Sequence, residues 1–247
     1  MFTPHTPQDI EEMLKAIGAE SIEDLFAKVP EKHRFPELDL PEPLTEMEIA
    51  KELKEISSAN ASVDDFISFL GAGAYNHYIP AAVDMILRRG EFYTAYTPYQ
   101  PEISQGTLQA IFEFQSLMTE ISGMDVSNAS HYDGATAAAE AANLAYHFFR
   151  GKRKNVLISR SVNPQYRDTI RTYMQGLEDV EVLGDEQSGN DAWDFAKFIE
   201  KIDTNTAVVL VQYPDFFGRI IDYTKLVNIA HEKGALVTFI FNPTAMG

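Results

Sequence analysis

Aromatic hydroxyl groups and other polar side chains are concentrated in residues 69–102, among residues that restrict the backbone. Gly71 and Gly73 permit backbone conformations that other residues rarely adopt. Prolines in the segment fix φ and cannot donate a backbone hydrogen bond, and each tyrosine joins an apolar ring to a polar tip. The segment therefore predicts a rigid, polar-lined surface that faces a ligand or another chain. Its prolines are Pro80, Pro98 and Pro101, and its candidate side chains are Tyr75, His77, Tyr78, Tyr93, Thr94, Tyr96, Tyr99, Gln100 and Glu102.

Glu102 lies between prolines and aromatic residues in the sequence PYQPEISQG. A carboxylate in that setting could orient a substrate or pair with a basic group of a partner. Its position just before Ser104, where a helix is predicted to begin, equally favours an acid that interacts with the helix dipole. Both interpretations stay open.

Residues 132–136, with the sequence Tyr-Asp-Gly-Ala-Thr, stand where an alanine-rich helix is predicted to begin. Free backbone N–H groups at a helix N-terminus can bind an anion. A carboxylate at Asp133 would itself occupy the positive end of the helix and repel phosphate. We therefore favour an N-cap at Asp133, with an anion site as the alternative.

The remaining titratable residues exclude several kinds of chemistry. His77 and His131 are the histidines nearest these motifs, and a single histidine is more often a structural hydrogen-bonding group than a base. No His-x-x-x-His pair or tight carboxylate cluster predicts a metal site. The chain has no cysteine, which excludes disulfides and thiolate nucleophiles. No lysine follows a predicted strand in a small-residue context, so none is expected to form a Schiff base.

Four long stretches of the chain resemble one protein family. They are residues 8–35, 69–124, 127–142 (SNASHYDGATAAAEAA) and 211–220 (VQYPDFFGRI). Together they resemble the glycine dehydrogenase (decarboxylating) family, which is the P-protein of the glycine cleavage system. More narrowly, they are similar to the N-terminal subunit, subunit 1, of its two-chain bacterial form.

The resemblance implies an enzyme that decarboxylates glycine with pyridoxal phosphate (PLP) and passes the aminomethyl group to the lipoyl arm of the H-protein. It implies that the PLP lysine belongs to the partner, subunit 2, and that this chain binds no cofactor and supplies no assigned catalytic residue. It also implies a cytoplasmic heterotetramer in which this chain forms one wall of the active site. The expected wall residues are Thr94, Tyr96, Pro98, Tyr99, Gln100 and Glu102, and the expected interface residues are Tyr75, His77 and Tyr78.

The same resemblance predicts a site that keeps the position of a cofactor pocket without its chemistry. Fold-type-I PLP enzymes hold the cofactor phosphate where this chain has residues 132–136, and face the pyridine nitrogen with an aspartate where it has Asn242. An amide cannot supply the negative charge that keeps the pyridinium protonated. Asn163 stands where the family often has histidine, so it keeps hydrogen bonding but does not titrate. The expected pseudo-cofactor site comprises Tyr132, Asp133, Gly134, Ala135, Thr136 and Asn242.

Two other functions remain open from the sequence. The chain could be a non-catalytic subunit that stabilises or regulates subunit 2, with its tyrosine segment as an interface. It could also be part of a stand-alone PLP enzyme that is cut short before its lysine.

The first third of the chain predicts short helices. Thr6 and Thr45 are N-cap candidates, each followed three residues later by an acid. Ser21 with Asp24 predicts a second short helix, residues 34–44 predict an extended proline-rich arm, and residues 62–69 another short helix. We expect a helical N-terminal arm in residues 1–70 and a partial α/β domain in residues 71–247.

The next pattern is a long helix that the Ser104 side chain is expected to cap and that Gly123 ends. A second helix begins at Gly134 and has seven alanines between residues 135 and 145. After it the pattern changes to short apolar strands separated by helices, which is typical of a parallel sheet. We therefore predict an α/β fold, and the resemblance implies a fold-type-I PLP-dependent transferase-like (aminotransferase-like) large domain. The predicted strands are 156–159, 180–183, 207–212 and 236–241, and the predicted helices 166–177, 193–202 and 223–233. Since the sequence stops just after a strand, we expect the N-terminal half of a subunit.

Composition limits the partners. The chain of 247 residues has 20 basic and 37 acidic residues and a net charge of −17, which argues against nucleic acid because phosphate binding needs clustered Lys and Arg. The first residues lack a basic and an apolar region of the secretory type. No apolar run approaches the roughly 20 residues that span a bilayer.

Overall fold

The computed structural model describes residues 4–69, 71, 73–93, 97–186 and 195–246. The chain divides into two units, Met1–Ile67 and Ser68–Gly247. No helix in these described ranges is long and apolar enough to cross a membrane.

The first unit consists of short helices whose ends follow the sequence signals. Helix α1, Pro7–Ile17, begins with a capping box at Thr6 and ends at Gly18, whose φ is 73°. Helix α2, Glu46–Ser58, begins with a capping box at Thr45. These N-caps were predicted and are confirmed. Between them lie short 3-10 helices at Glu23–Phe26 and Glu31–His33.

The short helix predicted for residues 62–69 is wrong. Ser62 begins a single turn, in which the backbone N–H groups of Asp65 and Phe66 donate to its carbonyl oxygen. Val63, Phe66 and Ile67 are exposed, so no packing supports further turns. Helices this short are unstable without tertiary contacts.

The second unit begins with helices where the sequence pattern suggested only a loop. Helix α3, Ala81–Leu87, follows Pro80, and helix α4 covers Gly90–Tyr93. Helix α5, Gln105–Ser122, ends at Gly123 with φ of 65°, as predicted. Its expected side-chain cap is wrong: Ser104 has φ −112° and ψ 19°, so its backbone is not in the extended conformation from which an N-cap hydroxyl reaches the helix.

The rest of the second unit is an α/β sheet. Among the described residues, four parallel strands lie in the order β2-β1-β3-β4. The strands are β1, Asn155–Ile158; β2, Glu181–Leu183; β3, Thr206–Tyr213; and β4, Leu236–Phe241. The helices are α6, Gly134–Phe148; α7, Pro164–Met174; α8, Phe195–Glu200; and α9, Thr224–Glu232. The predicted α/β class is confirmed.

Both faces of the sheet are covered, as parallel sheets require. Along β3, Val208 and Leu210 face α6 and α7, whereas Val209 and Val211 face α8 and α9. The buried alanines of α6 leave little space between this helix and the sheet. They are Ala135, Ala138, Ala139, Ala142 and Ala145.

The strand order fixes where a ligand can bind. From β1 the chain passes through α7 to β2 on one side, and β3 lies on the other side of β1. In sheets of this kind, ligands bind outside the carboxyl ends of the strands at the point where the order reverses. That point is at the carboxyl ends of β1 and β3.

Candidate functional site

A cavity of about 1030 Å³ lies at the carboxyl ends of β3 and β4, beside the N-termini of α6 and α7. Asn163, which follows β1, and Gln212, near the end of β3, also line it, so the cavity reaches the point where the strand order reverses. Its walls include parts of the segment 71–77 and the loop that follows β3. The side chains used in the argument below are Asn163, Tyr166, Gln212, Asp215 and Asn242.

Asn163 follows the turn after β1 and caps α7. Its side-chain oxygen accepts from the backbone N–H of Gln165 at 2.9 Å, and its own backbone N–H donates to Oε1 of Gln212 at 2.8 Å. The residue is only 7% exposed, and its amide Nδ2 has no partner in the described part of the chain. A Cβ on Gly73 would lie 2.7 Å from that nitrogen. A glycine at position 73 therefore allows this backbone to approach the cap of α7.

Gln212 is the next-to-last residue of β3 and is 8% exposed. Its Oε1 accepts from Asn163, and its backbone carbonyl accepts from the hydroxyl of Tyr223 at 3.2 Å. Its Nε2 finds no acceptor among the residues that the structure describes. The cavity is thus lined by two buried primary amides whose oxygens are bonded and whose N–H groups are not.

The N-terminus of α6 is occupied by the chain's own carboxylate. The backbone N–H of Thr136 donates to Oδ1 of Asp133 at 2.8 Å, and this bond lowers the pKa of Asp133. A Cβ on Gly134 would lie 2.6 Å from the Tyr166 hydroxyl. Burial raises the pKa of Tyr166, and the charges of Asp133 and Tyr75 raise it further. A phosphate here would face Asp133 at the position that an anion normally takes.

The loop after β3 is held by a buried carboxylate. Asp215, 2% exposed, accepts from the backbone N–H groups of Phe217 and Arg219 at 3.0 and 2.9 Å. Its other oxygen accepts from Nε and Nη2 of Arg219 at 2.8 and 2.7 Å. Both carboxylate oxygens are therefore bonded, and the negative charge of Asp215 is paired.

The structure brings together only part of the predicted site. Gly134 and Asn242 line the cavity, as do Tyr75 and His77 from the expected interface. Tyr132 is 96% exposed, Ala135 is buried and Thr136 is half-buried. Oδ1 of Asn242 accepts from the backbone N–H and the hydroxyl of Thr244.

The described residues of the expected active-site wall do not line the cavity. Thr94 and Tyr96 are outside the described residues. Pro98 is half-buried and Tyr99 is 79% exposed. Neither they nor the exposed Gln100, Glu102 and Tyr78 line the cavity, so the role of the wall stays a prediction.

Sequence reasoning missed Tyr166, Gln212 and Asp215. Gln212 had a usable signal, since a glutamine ends an otherwise apolar predicted strand and the carboxyl ends of parallel strands meet at one edge. Asp215 and Tyr166 carry no such signal, because their partners depend on the path of a loop and on a contact between two helices. In the described residues no group of three or more His, Cys, Asp or Glu side chains could hold a metal ion.

Comparisons with known proteins agree over the length of the chain. The family model described as "Glycine cleavage system P-protein" matches residues 1–247. "Probable glycine dehydrogenase (decarboxylating) subunit 1" of Thermomicrobium roseum is 51% identical over 249 residues, covering 100% of this chain and 55% of that protein. The protein with the same description from Geobacillus kaustophilus is 51% identical over 248 residues and is covered to 54%.

A solved structure is also similar: the crystal structure of glycine decarboxylase (P-protein) of the glycine cleavage system in inhibitor-bound form. It aligns with a TM-score of 0.83 and 40% sequence identity, covering 98% of this chain and 53% of that one. The chain therefore spans about half the length of the curated relatives that it matches.

Proposed function

We propose that this chain, which belongs to the glycine cleavage system P-protein family, acts as subunit 1 of a cytoplasmic glycine dehydrogenase (decarboxylating). The family is PLP-dependent. In this proposal a second subunit holds the PLP, and two copies of each subunit form a heterotetramer. The complex removes CO2 from glycine and transfers the remaining aminomethyl group to the lipoyl arm of the H-protein.

The cavity of this chain does not fit PLP. Among the described residues that line it there is no lysine to form a Schiff base. The negatively charged Asp133 occupies the N-terminus of α6, where a phosphate would need free N–H groups. Asn242, which is neutral, stands where the pyridine nitrogen needs a carboxylate. This mismatch, together with the similarity of the whole chain to subunits 1, supports placing PLP on the partner.

We assign this chain a positioning role toward the partner's active site. PLP, when bound there, supplies the group that accepts the electrons released with CO2. Thr94, Tyr96, Pro98, Tyr99, Gln100 and Glu102 would line that site and orient glycine. The hydroxyl groups of Tyr96 and Tyr99 would hold substrate or an ordered water by hydrogen bonds. Pro98 and Pro101 limit the backbone conformations of this segment, so little entropy is lost when the complex forms.

Exposed apolar side chains support a role in assembly. Tyr78, Tyr93, Tyr99 and Ile103 are each more than three-quarters exposed in the second unit. Every residue of the 18-residue helix α5 is at least partly exposed, and Phe112 is 71% exposed. Many large apolar side chains exposed in one region favour an interaction site over a solvated face.

Co-expression with subunit 2 from the same genome tests the proposal. We expect the two chains to elute together from size-exclusion chromatography at micromolar concentration. The complex should catalyse exchange of labelled bicarbonate into glycine when H-protein is present, and this chain alone should not. Separate elution, or exchange by this chain alone, would contradict the proposal.

The non-catalytic interaction subunit is the second candidate, because the same exposed rings would serve an interface alone. Conservative changes in residues 96–102 discriminate between the two. They alter turnover without altering assembly only if these residues line the active site. The third candidate, a stand-alone PLP enzyme, is disfavoured by the mismatch in the cavity.

A further inference from the structure

We propose that the cavity at the carboxyl end of β3 is a binding site for a small monocarboxylate, separate from any PLP site. The amides of Asn163 and Gln212 would donate hydrogen bonds to the carboxylate oxygens. This site does not depend on the partner subunit or on glycine decarboxylation, so it goes beyond the proposed function.

The two amides are oriented by their surroundings. A backbone N–H can only donate, so the N–H of Gln165 fixes Oδ1 of Asn163 and the N–H of Asn163 fixes Oε1 of Gln212. Nδ2 and Nε2 must then be the atoms that carry four N–H donors without acceptors in the described part of the chain. Both residues are more than nine-tenths buried and line the cavity. Buried donors in native structures are nearly always paired, so the cavity calls for an acceptor.

The charges around the cavity favour a ligand with a single negative charge. No lysine or arginine occurs among the described residues that line it, and Asp133 lies next to Gly134 at its edge. A phosphate dianion would therefore lack a counter-ion and be repelled. The N-terminus of α7, an 11-residue helix, lies at Asn163 and favours one negative charge. Asp215 adds no net repulsion because Arg219 pairs with it.

The lining includes apolar side chains, which suit an acid with an apolar remainder. Tyr213, Phe216 and Ile240 line the cavity beside the two amides. A carboxylate offers two acceptor oxygens and no donor, which suits a cavity whose two NH2 groups lack acceptors in the described part of the chain. Acetate and glycine are the simplest probes of this chemistry, and they separate a simple acid from an amino acid.

NMR spectroscopy of the purified, 15N-labelled full chain tests directly whether these amides bind a carboxylate. Titration with acetate or with glycine should shift the side-chain NH2 signals of Asn163 and Gln212 in a saturable way. Inorganic phosphate at the same ionic strength should leave them unchanged. If acetate and glycine both leave these signals unmoved, water alone pairs the donors and the proposal is wrong. Saturable shifts with phosphate instead would overturn the assignment to a carboxylate.

Two isosteric variants give an independent test by calorimetry. Asn163→Asp keeps the oxygen that caps α7, and Gln212→Glu keeps the oxygen that accepts from Asn163, but each replaces an NH2 donor with a negative oxygen. Each variant should bind the probe that shifted the NH2 signals, acetate or glycine, at least about tenfold more weakly than the wild type. This is the loss expected for one hydrogen bond to a charged group. Gln175→Glu makes the same change on the exposed end of α7 and should bind like the wild type. Equal affinity in all variants would show that the probe binds elsewhere and would refute the site. A variant that does not fold leaves the wild-type NMR titration as the deciding result.

Discussion

Replacing Asp215 with alanine should destabilise the loop after β3, because this buried carboxylate accepts four hydrogen bonds from the loop's own residues. Two of the donors are the backbone N–H groups of Phe217 and Arg219. These residues are exposed, so water can replace the acceptor, and each lost bond costs about 0.5–1.5 kcal/mol. The Arg219 side chain is 46% exposed, so its ion pair adds only about 0.2–1 kcal/mol. The free energy of unfolding should therefore fall by about 1–4 kcal/mol in total.

Two further variants separate these contributions. Asp215→Asn keeps one oxygen for the backbone donors and loses the ion pair, so it should cost less than Asp215→Ala. Asp222→Ala is the matched control: Asp222 accepts from the backbone N–H of Thr224 at 2.8 Å and is exposed. Its loss should cost little stability, because water can replace a fully exposed carboxylate.

Urea unfolding followed by circular dichroism at 222 nm measures all three variants. We expect Asp215→Ala to be the most destabilised of the three, and Asp215→Asn and Asp222→Ala each to lose less. If Asp215→Ala is no worse than Asp222→Ala, the buried carboxylate does not hold the loop and the reasoning fails.

Three further predictions concern the cavity, the wall and the cap of α6. Gly73→Ala should lower the midpoint of urea unfolding more than Gly71→Ala. Both glycines have positive φ, where an alanine costs about 1–3 kcal/mol of backbone strain. Only at Gly73 would the new Cβ also meet a side chain, at 2.7 Å from Nδ2 of Asn163. Equal midpoints would mean that Asn163 does not lie against Gly73. Tyr96→Phe, Tyr99→Phe and Glu102→Gln should slow glycine–bicarbonate exchange by the reconstituted complex roughly 5- to 150-fold without changing assembly, and unchanged rates would favour the interaction subunit. The hydrogen bond from the backbone N–H of Thr136 lowers the pKa of Asp133 below its ordinary value of 3.8. The ionised carboxylate therefore stabilises the folded chain at neutral pH, and this stabilisation is lost as the pH falls through the lowered pKa. Asp133→Asn should therefore lose less stability between pH 7 and pH 3 than the wild type, and an equal loss would exclude the cap as a source of acid sensitivity.

The sheet was predictable because its signals are local. The apolar stretch at 236–241 matches β4 in full. The other strands differ from their predicted bounds by one residue: β1 begins and ends one residue earlier, β2 begins one residue later, and β3 is one residue longer at each end. The caps at Thr6, Thr45 and Gly123 also follow from neighbouring residues. Helices α3 and α4 were missed, because the density of tyrosine and proline around them suggested a loop.

The candidate site was harder to predict. Asn163 and Gln212 lie 49 residues apart in sequence, and only the parallel pairing of β1 with β3 brings the Gln212 side chain to the backbone N–H of Asn163. The approach of Gly73 to Asn163 depends on the path of the segment before α3, which no local pattern encodes. Family resemblance pointed to Asn163, Asn242 and Gly134, which do line the cavity, but not to Gln212.

Borohydride reduction of the reconstituted complex, followed by mass spectrometry of the separated subunits, tests directly where PLP is held. Reduction converts a lysine Schiff base into a stable pyridoxyl label on the chain that carries it. We predict a stoichiometric label on subunit 2 and none on this chain, either in the complex or after incubation of this chain alone with PLP. A stoichiometric label on any lysine of this chain would contradict the assignment of PLP to the partner.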